Sequence, residues 1–207
     1  MMYQPKHFNI RDDETIYKFL NENPLATVIT IASGETEVSF TPVILDDSKN
    51  FLEGHVARAN PIWRNFLTSN ISMFLFAGPH SYISPSWYLE GPHLPTWNYT
   101  VISIKAEVEV IEDNHETVSL LHRLTKYIDK DYKKYCDEPD YIELISKSAR
   151  SVVGFRGEIK EIKAKFKLSQ NKNDAEIGNL IDVIRSTSVN KELDLATLMS
   201  TQLNKSK

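Results

Sequence analysis

Over residues 98–110 the chain alternates with a period of two. Ile102, Ile104, Ala106, Val108 and Val110 share one side, and Ser103, Lys105, Glu107 and Glu109 share the other. Successive side chains of a strand point to opposite faces, so this stretch predicts a long antiparallel strand buried on one face. Strands of that length wall barrels and sandwiches. Shorter strands are expected at 25–32, then, after a Ser33-Gly34 turn, along a run carrying Val38, Phe40 and Ile44. Others are expected at 50–55, at 71–77 leading into a Gly78-Pro79 turn, and at 152–165. Pro42 points to an edge or a bulge, and Gly154 and Gly157 to bulges or close backbone contacts.

Helices are expected from Asp12 or Asp13 to residue 22, at 60–67 behind Asn60-Pro61, at 114–129 and at 141–149. Two amphipathic helices close the chain. Ile177, Leu180, Ile181 and Ile184 mark the first; Leu195, Leu198, Met199 and Leu203 mark the second. No βαβ rhythm occurs, which rejects a doubly wound sheet and predicts an α+β, mostly antiparallel fold. The expected organisation is one β domain over 1–172 with helical insertions, and a helical segment over 173–207 packed on it.

Composition narrows the classes. No run approaches 18 apolar residues and the N-terminus has no apolar signal core, so a membrane span and a leader are not expected. Cys136 is the single cysteine among 207 residues and cannot form an internal disulfide, which favours a reducing cytosol. The formal net charge of −4 argues against a protein that grips nucleic acid over a broad surface. The best basic stripe is Lys160, Lys163, Lys165, Lys167 and Lys172. It reads either as a DNA contact or as a solvated strand face.

The chemistry gathers in residues 54–99. These 46 residues hold all three tryptophans, five of nine prolines and three of six histidines, but only three formal charges: Arg58, Arg64 and Glu90. Such a stretch suits a flat ligand with polar edges, because rings supply stacking area while Ser, Thr, Asn and His direct hydrogen bonds. No H-E-x-x-H, cysteine pair, Walker loop, G-x-G-x-x-G or G-x-S-x-G is present, so the usual zinc, nucleotide and acyl-transfer signatures are absent. Arg58 offers a fork for an anion and Asn60 a helix start, although each also has a purely structural reading. Lys167, Ser169, Gln170 and Asn171 add a donor-rich strand end.

Five segments together resemble the PaiB-like family of FMN-binding negative transcriptional regulators. They are Gly54-His55-x-Ala57-Arg58-Ala59-Asn60-Pro61-x-Trp63, Gly78-Pro79-His80-x-Tyr82-Ile83-Ser84-Pro85-Ser86-Trp87-Tyr88, Pro95-Thr96-Trp97-Asn98-Tyr99, Lys167-Leu168-Ser169-Gln170-Asn171 and the opening Met2-Tyr3-x-Pro5-x-His7-Phe8. The resemblance implies a split β-barrel like those of pyridoxamine-phosphate oxidases and flavin reductases, pairing as a homodimer with FMN near the subunit interface. It suggests Arg58 and Lys167 for the phosphate, and Ser84, Ser86 and Thr96 for phosphate or ribityl oxygens. Trp87, Trp97 and Tyr99 would flank the ring, with Asn98, Gln170 and Asn171 at its polar edge. His55, Asn60, Tyr82 and Ser169 complete the expected cofactor set.

Two positions depart from the family's pattern. Phe40 and Thr41 stand where a histidine often precedes the proline, and Lys172 stands where an arginine often follows Gln170-Asn171. The functional expectation is an FMN-binding negative transcriptional regulator, with DNA met directly or indirectly. The alternatives are an FMN-dependent oxidoreductase acting on a small molecule, or a homologue that has lost the cofactor.

Overall fold

The computed structural model describes residues 2–68, 71–187 and 191–205. Among the described residues there are seven strands: β1 Asn9–Ile10, β2 Leu25–Ala32, β3 Glu35–Leu45, β4 Phe51–Ala57, β5 Ser72–Ile83, β6 Thr96–Ile111 and β7 Val152–Lys167. The helices are α1 Asp13–Glu22, α2 Ile62–Phe66, α3 Asn114–Ile128, α4 Pro139–Ala149, α5 Asp174–Thr187 and α6 Lys191–Lys205. The hydrogen-bonded strand order is β1-β7-β4-β3-β2-β5-β6, and β7 also pairs with β6, so the order returns on itself. The fold is α+β and mostly antiparallel, of the split β-barrel class. Among the described residues no helix is long and apolar enough to cross a membrane.

The chain separates into two compact units. One comprises Tyr17–Phe76 and Ser103–Ile162. Its β2–β3 hairpin turns on Ser33 and Gly34, both at positive φ (53° and 84°), and closes on the pair Ala32↔Glu35. Two left-handed residues in a two-residue loop match the strands' own twist. Phe155 is fully buried, its ring centroid 5.3 Å from Phe66 and 5.9 Å from Phe74. Gly54 is required beside it, because a Cβ there would lie 2.6 Å from Phe155 Cζ and 3.1 Å from the Pro42 carbonyl oxygen. Gly154 and Gly157 are close-contact glycines too, facing Leu120 and Ala106. Ile44, Ile111, Leu120 and Leu124 form a cluster that seats α3. Arg123 locks the same helix to β4 through a bidentate pair with buried Glu53, at 2.8 and 2.9 Å.

One expectation for this unit is corrected. β3 lies between β2 and β4 rather than at an edge. Pro42 is tolerated because the β3–β4 register begins one residue later, at Val43↔Gly54, so no ladder bond needs its missing N–H on that side. Near residue 40 the apolar side chains of β3 face outward. Ser39 and Thr41 point inward while Val38 and Phe40 are 54% and 68% exposed. The buried hydroxyls are satisfied: Ser39 Oγ accepts from Asn60 Nδ2 at 2.7 Å and Thr41 donates to the His55 carbonyl. Ile44 shares the parity of Phe40 but is covered by α3. Leu25 and Ile31 on β2 are exposed as well.

The other unit comprises Met1–Ile16, Ala77–Ile102 and Lys163–Lys207. Asp12 caps α1 by accepting the Thr15 N–H at 2.9 Å. α5 and α6 pack on one another, and Leu180, Ile184 and Leu195 are fully buried. β1 pairs with the end of β7 at Asn9↔Lys165 and Ile10↔Ala164. The expected Gly78-Pro79 turn is absent, because β5 continues through it to Ile83. The β2–β5 register ends at Phe76, so Pro79 again removes no bond to β2; its carbonyl accepts from Thr100 Oγ1 at 3.1 Å.

Candidate functional site

The fifteen residues singled out from sequence fall in both units. His55, Arg58 and Asn60 lie in the unit of Tyr17–Phe76 and Ser103–Ile162, and the other twelve lie in the second. Arg58 does not hold its fork free. Nε donates to the Arg150 carbonyl at 2.9 Å and Nη2 to the Val152 carbonyl at 2.8 Å, while the Arg58 carbonyl accepts from Trp63 Nε1. Asn60 is likewise occupied, accepting from the Ile62 N–H at 3.1 Å and donating to Ser39. α2 spans only five residues, so it presents little dipole. His55 is half-buried with Nδ1 unbonded, and burial holds its imidazole below the ordinary 6.5. Arg58 and Asn60 are thus engaged within the protein, whereas His55 Nδ1 has no partner among the described residues.

The second unit differs. At the start of β6, Trp97 is 48% exposed and Tyr82 on β5 is 44% exposed, with ring centroids 6.0 Å apart. Trp97 Nε1 donates to His80 Nδ1 at 3.2 Å, which fixes the ring's orientation. Ser84 and Ser86 form a hydroxyl pair at 2.9 Å where Ser84 caps a short 3-10 turn. Lys167, near the end of β7, donates to Thr96 Oγ1 and, at 2.7 Å, to the Trp97 carbonyl. One of its three N–H bonds remains uncommitted.

Lys165, two residues earlier on the same face of β7, is missing from the sequence-derived set. It is 8% exposed, with Nζ 5.4 Å from the Tyr3 ring and 5.3 Å from Tyr99. Among the described residues its ammonium has no hydrogen bond and no ion pair. Burial first, and the Lys165 charge second, hold the Lys167 ammonium below the ordinary 10.5. Two neighbouring cations without a carboxylate are costly, and a bound anion relieves both costs. The period-two spacing of Lys165 and Lys167 was the available signal for pairing them.

Not every donor expected at a ring edge is free. Asn98 is wholly buried, with Nδ2 bonded to Ser169 Oγ at 3.0 Å and Met199 Sδ at 3.7 Å. Gln170 closes a local loop, accepting from the Leu168 N–H and donating to the Phe166 carbonyl. Ser169 is buried at φ 65°, which serves the turn toward Lys172. Asn171 is exposed and Trp87 half-buried.

Lys172 Nζ lies 3.1 Å from His93 Nδ1 and 4.9 Å over the Tyr88 ring. An ammonium only donates, so His93 Nδ1 accepts and its proton sits on Nε2, 3.8 Å from Glu176 Oε1. Tyr88 stacks on His93 with centroids 4.1 Å apart, and burial pushes its phenol above the ordinary 10.0. Lys160 pairs with Glu107 and Glu158. Of the expected lysine stripe, Lys160 is thus paired with carboxylates and Lys172 is held by His93 and Tyr88, while Lys165 and Lys167 meet no carboxylate among the described residues.

Comparison with known proteins adds an independent line. The profile of the family described as "Putative FMN-binding domain" matches residues 2–161. The chain is 32% identical over 211 residues to "Protease synthase and sporulation protein PAI 2" of Bacillus subtilis, covering 99% of each chain. Among solved structures it resembles the flavocytochrome Anf3 of Azotobacter vinelandii, with TM-score 0.63 and 14% identity, over 83% of this chain and 74% of that one. It also resembles the FAD and heme binding protein of Mycobacterium smegmatis, with TM-score 0.62 and 13% identity, over 87% and 80%. Those two likenesses describe the fold.

Proposed function

The chain belongs to the FMN-binding domain family, and from that premise we propose that it is a PaiB-like flavoprotein acting as a negative transcriptional regulator. The observation that carries the flavin site is the Lys165–Lys167 pair beside Thr96, Trp97 and Tyr99. In this reading Lys167, with Lys165 behind it, takes the FMN phosphate. Ser84, Ser86 and Thr96 bind phosphate or ribityl oxygens, and the exposed rings of Trp97 and Tyr82 supply stacking surface. The donor set fits the group: cations for a phosphate, hydroxyls for a polyol and indole faces for a flat ring. FMN brings its own redox chemistry, and these residues bind and orient it.

The regulatory half is supported by likeness along the full length to the sporulation protein of Bacillus subtilis. The pairing of Lys160 with Glu107 and Glu158, and of Lys172 with His93, weakens the lysine stripe as a DNA contact and favours indirect control. The exposed apolar strip of Leu25, Ile31, Val38 and Phe40 supports pairing with a second copy. Purified protein should be yellow and release FMN on heating, and should be dimeric by sedimentation. Colourless protein that takes up no added FMN overturns the flavin reading. A salt-sensitive mobility shift on promoter DNA, absent on scrambled DNA, would overturn indirect control.

A further inference from the structure

Beyond residues 2–161, where the family profile stops, α5 reaches back to the segment that carries the expected ligand residues. The sequence Asn173-x-x-Glu176 has the form of a capping box. Half of it forms: the Glu176 N–H donates to Asn173 Oδ1 at 2.9 Å. In the reciprocal half, the N3 carboxylate would return to the cap's own N–H. Here both Glu176 oxygens turn away, accepting the N–H groups of Leu89 at 3.0 Å and Glu90 at 3.2 Å. One turn later Asn179 Nδ2 donates to the Trp87 carbonyl at 2.6 Å. His93, further along the same loop, faces Glu176 with Nε2.

Glu176 is 4% exposed, and a carboxylate so buried is costly unless hydrogen-bonded on both oxygens. Its two partners are loop amides that belong to no strand or helix. We infer that α5 is a latch: Glu176 and Asn179 are positioning residues that hold residues 87–90 and thereby set the placement of Ser84, Ser86 and Trp97 on either side. The latch assigns a role to the C-terminal helical segment. As a device for placing flavin ligands it rests on the proposed flavin reading, while as a structural lock it stands alone.

The two parts are separable by experiment. Hydrogen exchange at the Leu89 and Glu90 amides should quicken in Glu176→Ala by about tenfold or more, with Glu176→Gln between variant and parent because one acceptor oxygen survives. Parent-like exchange in Glu176→Ala overturns the latch whether or not FMN binds. Titration with FMN should then show about tenfold weaker affinity and shifted visible flavin bands in Glu176→Ala, partly restored in Glu176→Gln. Parent-like affinity and bands beside quickened exchange would overturn the positioning role alone. Failure of the parent to bind FMN, with exchange still quickened, would fail the flavin reading and leave the lock standing. Asn179→Ala removes only the Trp87 carbonyl's donor; should Glu176→Ala not fold, the FMN titration is read on it, and exchange at Leu89 and Glu90 is read on Glu176→Gln, where parent-like exchange overturns the latch.

Discussion

Arg58 and Lys167 were equal candidates for a phosphate, yet the two units use them in opposite ways. Arg58 has two donors bound to the carbonyls of Arg150 and Val152 and so ties together the start of β7 and its own strand end. Lys167 keeps a donor free, has a second cation beside it, and meets no carboxylate among the described residues. A cation satisfied by backbone carbonyls supports a fold. A pair of cations left without counter-charge invites an anion. Residue type alone does not separate these cases, because the partners arrive from distant parts of the chain.

The largest expected effect sharpens that contrast. Lys167→Ala should weaken FMN binding by about 1.5–3 kcal/mol, the range of a hydrogen bond to a charged group, with the melting temperature little changed. Equal affinity in flavin titrations of variant and parent would place the phosphate elsewhere. Arg58→Ala should do the reverse, costing about 1 kcal/mol of stability in urea unfolding while FMN affinity per folded molecule changes less than in Lys167→Ala. A greater loss of affinity in Arg58→Ala would break the comparison.

Smaller effects come from pH. The Lys167 ammonium titrates below the ordinary 10.5, so FMN affinity should fall with rising pH earlier than for an unperturbed lysine. The free protein should behave oppositely: in that window the unfolded chain holds more protons, so stability rises with pH. Titrations and melts between neutral and alkaline pH check both signs. The smallest effect belongs to His55. Its imidazole is held below 6.5, so its contribution is present above that value and fades as pH falls through the lowered one. A conservative His55→Gln should flatten the acid side of the stability curve slightly; an unchanged slope would show that other groups set it.

Legibility followed the range of the interaction. β2 was readable to its end residues and α3 to within one, because caps, turns and periodicity are local signals. The outward Phe40 and inward Ser39 were not, since β3's buried hydroxyls are satisfied by Asn60 and His55, residues that sequence spacing does not connect to them. Asn98 looked like a ligand donor for the same reason; its partners Ser169 and Met199 lie 71 and 101 residues away. Asn173-x-x-Glu176 has the spacing of a cap, but only the folded chain turns Glu176 onto the loop.

From sequence alone came the helices and every strand but β1, the α+β class, the family and FMN as the cofactor, since each is carried by short-range pattern or by motifs in order. Tertiary structure alone decided which polar groups are already satisfied. Hydrogen-bond capacity is finite, and a donor bound to a distant carbonyl or amide has less left for a ligand.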